Sequence, residues 1–82
     1  MTVPDWLAKR GGALTPGVEG SVFVVFDGQP HYRIDPVPVA GKVGCVVTET
    51  VSGRRLDNAV TFADEPAALK GGLEQLRNQL GW

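Results

Sequence analysis

The chain has 82 residues, 43% of them hydrophobic and 21% charged, with a formal net charge of −1. This composition predicts one small globular domain and excludes a disordered chain. The weak net charge disfavours non-specific nucleic-acid binding, because that binding depends on many Lys and Arg contacts to phosphate.

The single cysteine, Cys45, excludes an internal disulfide, and we expect its thiol to be buried. No stretch of the sequence reaches the ~20 apolar residues that a membrane-spanning helix needs. The N-terminus lacks the basic region and the apolar run of a signal peptide, so we expect a cytoplasmic protein.

Residues 1–20 carry few structural signals, and we expect a weakly ordered N-terminal segment there. Residues 4–10 favour a turn or two of helix, because Asp5 would lie in the first turn and a Gly-Gly pair would end it. Trp6 and Leu7 would supply the apolar contacts of this short helix.

Residues 21–39 predict a β-hairpin, because an apolar run precedes the turn signal Asp27-Gly28 and an alternating run follows it. Pro36 and Pro38 come directly after the alternating run. They confine the continuation of the second strand to an edge strand or an extended loop, because proline cannot donate to a sheet ladder.

Two registers of this hairpin stay open. A two-residue loop pairs Phe23 with Tyr32, whereas a three-residue loop pairs Val24 with Tyr32. The second register places three apolar side chains in the core: Val22, Val24 and Phe26. In both registers apolar side chains emerge on both faces of the strand, and one helix can cover only one of them. The second face therefore needs the N-terminal segment around Trp6, which we favour, or a partner chain.

Residues 42–62 predict a second hairpin around the two-residue loop Ser52-Gly53. That loop sets four opposed pairs: Val43 and Phe62, Cys45 and Val60, Val47 and Asn58, and Glu49 and Leu56. One face then collects the apolar side chains of Val43, Cys45, Val47, Leu56, Val60 and Phe62, and the other collects Val46, Thr48, Thr50, Arg55, Asp57 and Thr61. A slip of one residue would exchange the faces, so this sorting supports the register.

Residues 64–80 predict an amphipathic helix with Asp64 as its N-cap and Gly81 as its C-cap. Four leucines at helical spacing form one apolar stripe: Leu69, Leu73, Leu76 and Leu80. Two glycines inside the helix each cost about 1 kcal/mol relative to alanine. Gly72 borders the leucine stripe, so a close approach to the sheet explains it, whereas nothing in the sequence explains Gly71.

Together these elements predict a single domain of the α+β class. Its sheet is a single antiparallel sheet of two consecutive β-hairpins, and the C-terminal amphipathic helix packs on one face of that sheet. A short N-terminal helical segment completes the domain.

The residues that could carry chemistry form no recognisable set. His31 is the only histidine, and a metal site needs several convergent ligands. The carboxylates are scattered, and a turn explains Asp27 while a cap explains Asp64. The glycine-rich segments lack the Lys-Ser/Thr ending of a phosphate-binding loop. We therefore expect no catalysis, cofactor, metal or small-molecule substrate.

The sequence favours a non-enzymatic protein-interaction module, such as an accessory subunit, an inhibitor or a homodimer. Its candidate binding residues are a polar set and an apolar set: Arg54, Arg55, Thr48, Thr50 and Asp57, and Val22, Val24 and Phe26. The expected partner is another protein or a second copy of this chain. The alternative is a nucleic-acid-binding module that uses the Arg54 and Arg55 hairpin face. No membrane contact is expected.

Overall fold

The computed structural model describes residues 2–57 and 59–82, which form a five-stranded antiparallel sheet and two α-helices. The helices are α1 (Asp5–Ala8) and α2 (Glu65–Leu80). The strands lie in the sheet in chain order: β1 (Gly12–Pro16), β2 (Val22–Phe26), β3 (Gln29–Val39), β4 (Lys42–Glu49) and β5 (Thr61–Phe62). A short 3-10 turn, Val18–Gly20, links β1 to β2. The predicted α+β architecture is confirmed.

β1 is a strand that the sequence did not predict. It pairs antiparallel with β2, with Leu14 opposite Val24 and Thr15 opposite Phe23. The segment contains only one large apolar side chain and ends at Pro16, so its composition is not typical of a strand. Its presence extends the two hairpins into a five-stranded meander.

The loop of the first hairpin has two residues. Phe26 lies opposite Gln29, and the loop residues Asp27 and Gly28 both have positive φ angles, 52° and 74°. Two consecutive positive φ angles are typical of a type I′ turn, whose twist matches that of the flanking strands. The two-residue loop of the first predicted register is therefore confirmed.

A β-bulge beside this turn restores the core pairing of the other predicted register. Val25 pairs with Pro30, but the next residue along, Val24, pairs with Tyr32. His31 is therefore an extra residue on β3. The bulge shifts the strand by one residue, so the hairpin combines the loop of one register with the core pairing of the other.

The second half of β3 lies at an edge. β2 begins at Val22 opposite Ile34, whereas β3 continues to Val39 and pairs there with β4 alone. Pro36 and Pro38 therefore lie where one edge of β3 has no strand beside it, and their missing N–H groups are tolerated. The predicted edge position of the two prolines is confirmed.

The second hairpin keeps the predicted register at its base and departs from it at its tip. Val43 lies opposite Phe62, as predicted. Near the tip, the Glu49 N–H donates to the Arg54 carbonyl at 2.8 Å, so four residues, 50–53, form the loop. The predicted two-residue loop is therefore wrong.

The pairing near the tip differs by two residues from the pairing at the base, so the chain between the tip and β5 contains two extra residues. The Leu56 N–H donates to the Val47 carbonyl at 2.8 Å, so the predicted pairing of Leu56 with Glu49 is wrong. Because the displacement is an even number of residues, Leu56 stays on the core side, where it is 8% exposed. Val60 was expected in the core but is 47% exposed. The predicted pairing of Asn58 lies outside the described residues.

α2 begins and ends where the sequence predicts. The Asp64 carboxylate accepts the Ala67 N–H at 2.9 Å, which satisfies one of the free donors of the first turn. Gly81 adopts the left-handed conformation with a φ of 72°, as a C-terminal cap requires.

The predicted leucine stripe lies against the sheet, although its members differ in burial. Leu73 and Leu76 are 2% and 0% exposed, whereas Leu69 and Leu80 are partly buried beside the core. The buried face of α2 consists of Ala68, Gly72, Leu73, Gln75 and Leu76. The face of α2 that contacts the sheet is therefore centred nearer to the small residues Ala68 and Gly72 than the leucine stripe alone predicts.

Gly71 and Gly72 let α2 lie directly on the sheet. A Cβ atom at Gly72 would stand only 2.7 Å from Ile34 Cγ2 and 3.4 Å from Cys45 Sγ. A Cβ atom at Gly71 would overlap the ring of Phe62. The close approach expected at Gly72 is confirmed, and the ring of Phe62 accounts for Gly71, which the sequence left unexplained.

α1 lies on the same side of the sheet as α2. Leu7 is fully buried in the core that also contains Val24 and Leu76. The ring of Trp6 lies 6.3 Å from that of Trp82, measured between centroids. The expectation that the segment around Trp6 covers the second face is therefore wrong, because its apolar side chains complete the first.

Replacing Leu76 by alanine should strongly destabilise the domain. The side chain is fully buried, and a buried Leu→Ala change costs about 2–5 kcal/mol in free energy of unfolding. Urea denaturation measures this quantity. The exposed Lys70→Ala in the same helix is the control, and we expect it to change stability by less than about 0.5 kcal/mol. Equal midpoints for the two variants would contradict the packing described here.

Gly72→Ala should also destabilise the domain, although alanine is the better helix former. The added methyl group would crowd the fully buried Ile34, and overpacking of this kind costs about 1–3 kcal/mol. The gain in helix propensity is about 1 kcal/mol, so we expect a small net loss in thermal midpoint. The exposed Asn78→Ala serves as the matched control. If Gly72→Ala were more stable than the wild type, the close contact between α2 and Ile34 would be contradicted, and α2 would have to lie further from the sheet.

Candidate interaction surface

Within residues 2–57 and 59–82, the sheet face opposite α2 is left uncovered. Directly opposed residues on neighbouring strands share a face, and the sequence neighbours of the buried Val24 and Val47 point away from α2. We call this surface the open face. It carries Phe23, Val25, Arg33, Asp35, Val37, Val46, Thr48 and Arg55.

Much of the open face is apolar. Phe23, Val25, Val37 and Val46 are only half-buried, and Val39 at the end of β3 is 42% exposed. The outer face of an antiparallel sheet normally carries polar residues when it faces water. The apolar side chains form two groups, Phe23 with Val25 on β2, and Val37 with Val39 and Val46 on β3 and β4. An exposed apolar group on such a face is typical of an interaction site.

A groove of about 410 Å³ crosses the open face beside β4. Its floor is formed at Gly44 and Val46, and the methyl groups of Val39 and Val37 lie over Gly44, where a Cβ atom would stand 3.2 and 3.4 Å from them. Val39 and Val60 form its exposed walls. The departure of the chain from the sheet before β5, which moves Val60 out of the core, therefore creates a wall of this groove.

Two ion pairs lie on the open face, and the Arg33–Asp35 pair on β3 separates Phe23 on β2 from Val46 on β4. Arg33 Nε–H donates to Asp35 Oδ2 at 2.8 Å, and an Arg55 Nη2–H donates to Asp57 Oδ2 at 2.8 Å. Thr48 lies between the two arginines, opposite Arg33 on one side and bridged to Arg55 on the other. Each pair joins opposite charges, and Lys42, opposite Val39 at the start of β4, adds a positive charge at one end of the same face.

The Asp57 side chain also accepts a backbone hydrogen bond from β4 that a neighbouring strand would otherwise accept. Its Oδ1 accepts the Val47 N–H at 3.0 Å, just where the chain leaves β4. The Arg55 guanidinium, which donates to the same carboxylate, holds the pKa of Asp57 below its usual value, and the Val47 N–H adds to this effect. Partial burial opposes both by disfavouring the charged form. Asp57 thus fixes one end of the groove.

The two adjacent arginines do not form a joint basic patch. Arg55 lies beside Thr48 on the open face, whereas Arg54 acts electrostatically on Tyr32, whose partner Val24 lies on the core side. Burial raises the pKa of Tyr32, the charge of Glu49 raises it further, and the Arg54 charge lowers it.

Thr50 has a structural contact at the tip of the second hairpin. Its Oγ1–H donates to the Pro30 carbonyl at 2.6 Å, and its N–H donates to the His31 carbonyl at 3.0 Å. The hydroxyl therefore ties the second hairpin to the bulge of the first. Of the predicted polar binding residues, the structure brings together three on one surface: Thr48, Arg55 and Asp57.

The predicted apolar binding set does not lie on the open face. Val22 and Val24 are 9% and 0% exposed beneath the helices, so they are unavailable to a partner. Phe26 packs edge-on against Trp82 at 5.8 Å between centroids. Their alternate neighbours, Phe23 and Val25, take the open face instead. The signal that could have identified these two was the strand alternation itself.

His31 lies in an aromatic and basic corner that the sequence did not predict. Its ring meets Phe26 edge-on at 5.2 Å, and Arg10 lies 4.4 Å from the ring centroid of Trp82. The described residues that line this cleft include no carboxylate, serine or cysteine: Lys9, Arg10, Phe26, His31, Tyr32 and Trp82. The cleft therefore offers His31 no acid, and no partner nucleophile of those kinds.

Cys45 is buried, as predicted, and 4% exposed. Its thiol donates to Gln75 Oε1 at 3.6 Å, which joins β4 to α2 inside the core. Burial raises the pKa of Cys45, and the negative charge of Asp57 adds to the rise, while the hydrogen bond to Gln75 lowers it. The thiol is therefore protonated at neutral pH and acts as a packing group.

Comparisons with known proteins give no match: no family model fits the chain, and no curated protein or solved structure is significantly similar to it. Within the described ranges, no group of three His, Cys, Asp or Glu residues is placed to hold a metal ion. In the same part of the chain, no helix has the length and apolar character needed to cross a membrane.

Asp57→Ala should weaken the fold above pH 4 and lose its effect in acid. The variant leaves the Val47 N–H without its acceptor, which costs about 1–3 kcal/mol for a buried donor. Because the folded pKa lies below the unfolded value of 3.8, the charged form stabilises the fold above that pH. The contribution is lost as the pH falls through the folded pKa.

The measurement is urea denaturation of Asp57→Ala and the wild type between pH 2 and 7. Asp35→Ala is the matched control, because it removes the acid of the other Arg-Asp pair, which is more exposed and worth about 0–1 kcal/mol. A difference for Asp57→Ala that is unchanged at pH 2, or equal to that of the control, would contradict the role assigned to Asp57.

Proposed function

We propose that this protein is a non-enzymatic protein-interaction module that binds a partner protein through its open face. The observation that carries the proposal is the position of α1 and α2 on one side of a sheet that has apolar side chains on both sides. Apolar side chains left in water gain free energy when a partner covers them.

The magnitude of this gain supports a reversible complex. Removing on the order of 300 Å² of apolar surface from water contributes about 7 kcal/mol at ~25 cal/mol per Å². Association costs at least about 4 kcal/mol in lost translational and rotational freedom. The net free energy of binding that remains is small, which suits a partner that binds and dissociates.

The two Arg–Asp pairs of the open face support the same proposal. Arg33 and Arg55 already bind Asp35 and Asp57, so a partner that covers them does not leave an unpaired charge buried. Burial of an unpaired charge would cost several kcal/mol and would oppose docking. The open face therefore combines apolar side chains with two ion pairs that form within the chain.

The geometry at Arg54 and Arg55 does not favour the nucleic-acid alternative. Arg54 and Arg55 act on opposite sides of the sheet, and the Arg55 guanidinium is bound to Asp57. Nucleic-acid binding needs several unneutralised cations along one surface. The open face offers two arginines, each with a carboxylate beside it, and Lys42 at its end.

We place the module in the cytoplasm as part of this proposal. Cys45 is a free thiol, and free cysteines persist where glutathione and thioredoxin keep thiols reduced. Its burial beneath α2 also protects it from oxidation.

Affinity capture with matched variants tests the proposal. Tagged wild-type protein is incubated with native cell extract beside Val46→Lys, which places a charge in the groove, and Val51→Lys, which makes the same change at the exposed hairpin tip. We expect a retained protein, another chain or an untagged copy, whose recovery falls at least tenfold with Val46→Lys and not with Val51→Lys.

A second readout locates the contact on the protein. Hydrogen exchange of the purified complex should slow at β2, β3 and β4 and not along α2, because the open face lies on those strands. Circular dichroism of Val46→Lys confirms that the variant is folded. The proposal fails if the wild type retains nothing that depends on Val46, or if protection falls on α2 instead.

A further inference from the structure

We infer that the aromatic and basic corner around His31 binds a nucleotide, with its phosphate held by Lys9 and Arg10 and its base stacked against His31 and Tyr32. The corner lies on the helix side of the sheet, because Phe26 shares a face with the buried Val24. It is therefore separate from the open face, and the inference does not depend on the proposed function.

The β-bulge in β3 brings the rings of this corner together. Strict alternation would place His31 and Tyr32 on opposite faces of the sheet, but the extra residue lets both rings point to the helix side. Their centroids lie 6.4 Å apart, and the His31 ring meets Phe26 edge-on at 5.2 Å. Bulges recur next to active sites, where they redirect a side chain in this way.

Trp82 forms another side of the cleft, and α2 fixes its position. Its N–H donates to the Arg77 carbonyl at 3.0 Å, and Arg77 Nε–H donates to its main-chain oxygen at 3.1 Å. The Arg10 guanidinium lies 4.4 Å from the centroid of its ring. This cation–π contact restricts the guanidinium, whose planar set of N–H donors suits a phosphate group.

The cations of the corner are not neutralised within the chain. Lys9 and Arg10 take part in none of the ion pairs among residues 2–57 and 59–82, and the described residues that line the cleft include no carboxylate. The nearby carboxylates lie outside it: Glu49 is opposite Tyr32 in the sheet, and Asp5 lines an adjoining cleft. Two cations match the charge of about −1.5 to −2 on a phosphate monoester, whereas a carboxylate carries a single charge.

The size of the cleft suits a base together with its phosphate. Its volume is about 600 Å³, which lies within the range of roughly 300–1,000 Å³ that is typical of small-molecule sites. A phosphate alone would fill a small part of this space. The rest of the lining is aromatic, and flat bases of every kind stack on such rings.

NMR titration of the ¹⁵N-labelled full chain tests the inference with separate parts of the ligand. The probes are adenosine monophosphate (AMP), adenosine, ribose 5-phosphate and the aromatic acid indole-3-acetate. We expect AMP to bind at least tenfold more tightly than each of the other three, with shifts at residues 9–10, 31–32 and 82. AMP that fails to bind at ~10 mM overturns the inference, and so does equal binding of another probe or a set of shifts confined to the open face.

Matched variants separate the two parts of the site. Lys9→Gln removes one positive charge from the cleft, and Lys70→Gln removes the same charge from the exposed side of α2. We expect Lys9→Gln to raise the dissociation constant of AMP at least fivefold and Lys70→Gln to leave it within twofold. His31→Ala should also weaken AMP binding about fivefold or more, the lower end for loss of a base stack, and should leave ribose 5-phosphate binding unchanged.

The replaced side chains are exposed, so we expect all three variants to fold, and circular dichroism checks this. Equal effects of the two lysine variants would overturn the inference, as would His31→Ala protein that binds AMP as the wild type does. A ten-residue oligoadenylate in the same titration identifies the source of the nucleotide. Binding at least tenfold tighter than AMP indicates a single strand, whereas equal or weaker binding indicates a free nucleotide, and the inference holds in both cases.

Discussion

The close approach of α2 to the sheet at Gly71 and Gly72 is the contact on which the rest of the structure depends. Because neither glycine has a side chain, the helix axis lies low over β4, and Ile34, Cys45 and Phe62 fill the space that side chains would have occupied. A helix this close can bury its leucines with few apolar residues in total, which an 82-residue chain needs. α1 then fits beside α2 rather than across the sheet, and Leu7 completes the same core. Both helices then lie on one side, and the described residues place no helix on the second sheet face.

Local signals predicted the parts of this fold that local interactions determine. Asp64 and Gly81 marked the ends of α2 because capping involves hydrogen bonds within one turn. The bulge at His31 and the four-residue loop at the tip of the second hairpin could not be read in the same way, because each depends on pairing with a third strand. Thr50, for example, is held by Pro30 and His31 of the other hairpin. β1 was missed since its composition suits a strand only when β2 lies beside it.

The sequence predicted some residues of the candidate site correctly and others wrongly, and the difference has a physical reason. Alternation along a strand places Val46, Thr48 and Arg55 on one face whichever side the helix takes, so these residues were sorted correctly. The side that the helices cover is a property of the whole molecule, and the apolar set of β2 was therefore placed on the wrong surface: Val24 is core, and Phe23 and Val25 face outward. Arg54 and Arg55 were predicted to share one hairpin face, but neighbouring residues on an extended chain point in opposite directions.

Pro36 and Pro38 have a consequence for how copies of this chain can assemble. A β-sheet with an open edge can add strands from other chains without limit, and this addition leads to fibres. The unpaired edge of β3 lacks N–H donors at both prolines, β1 ends in a third proline, and β5 is only two residues long. Growth by strand addition is therefore blocked or poorly supported at each edge.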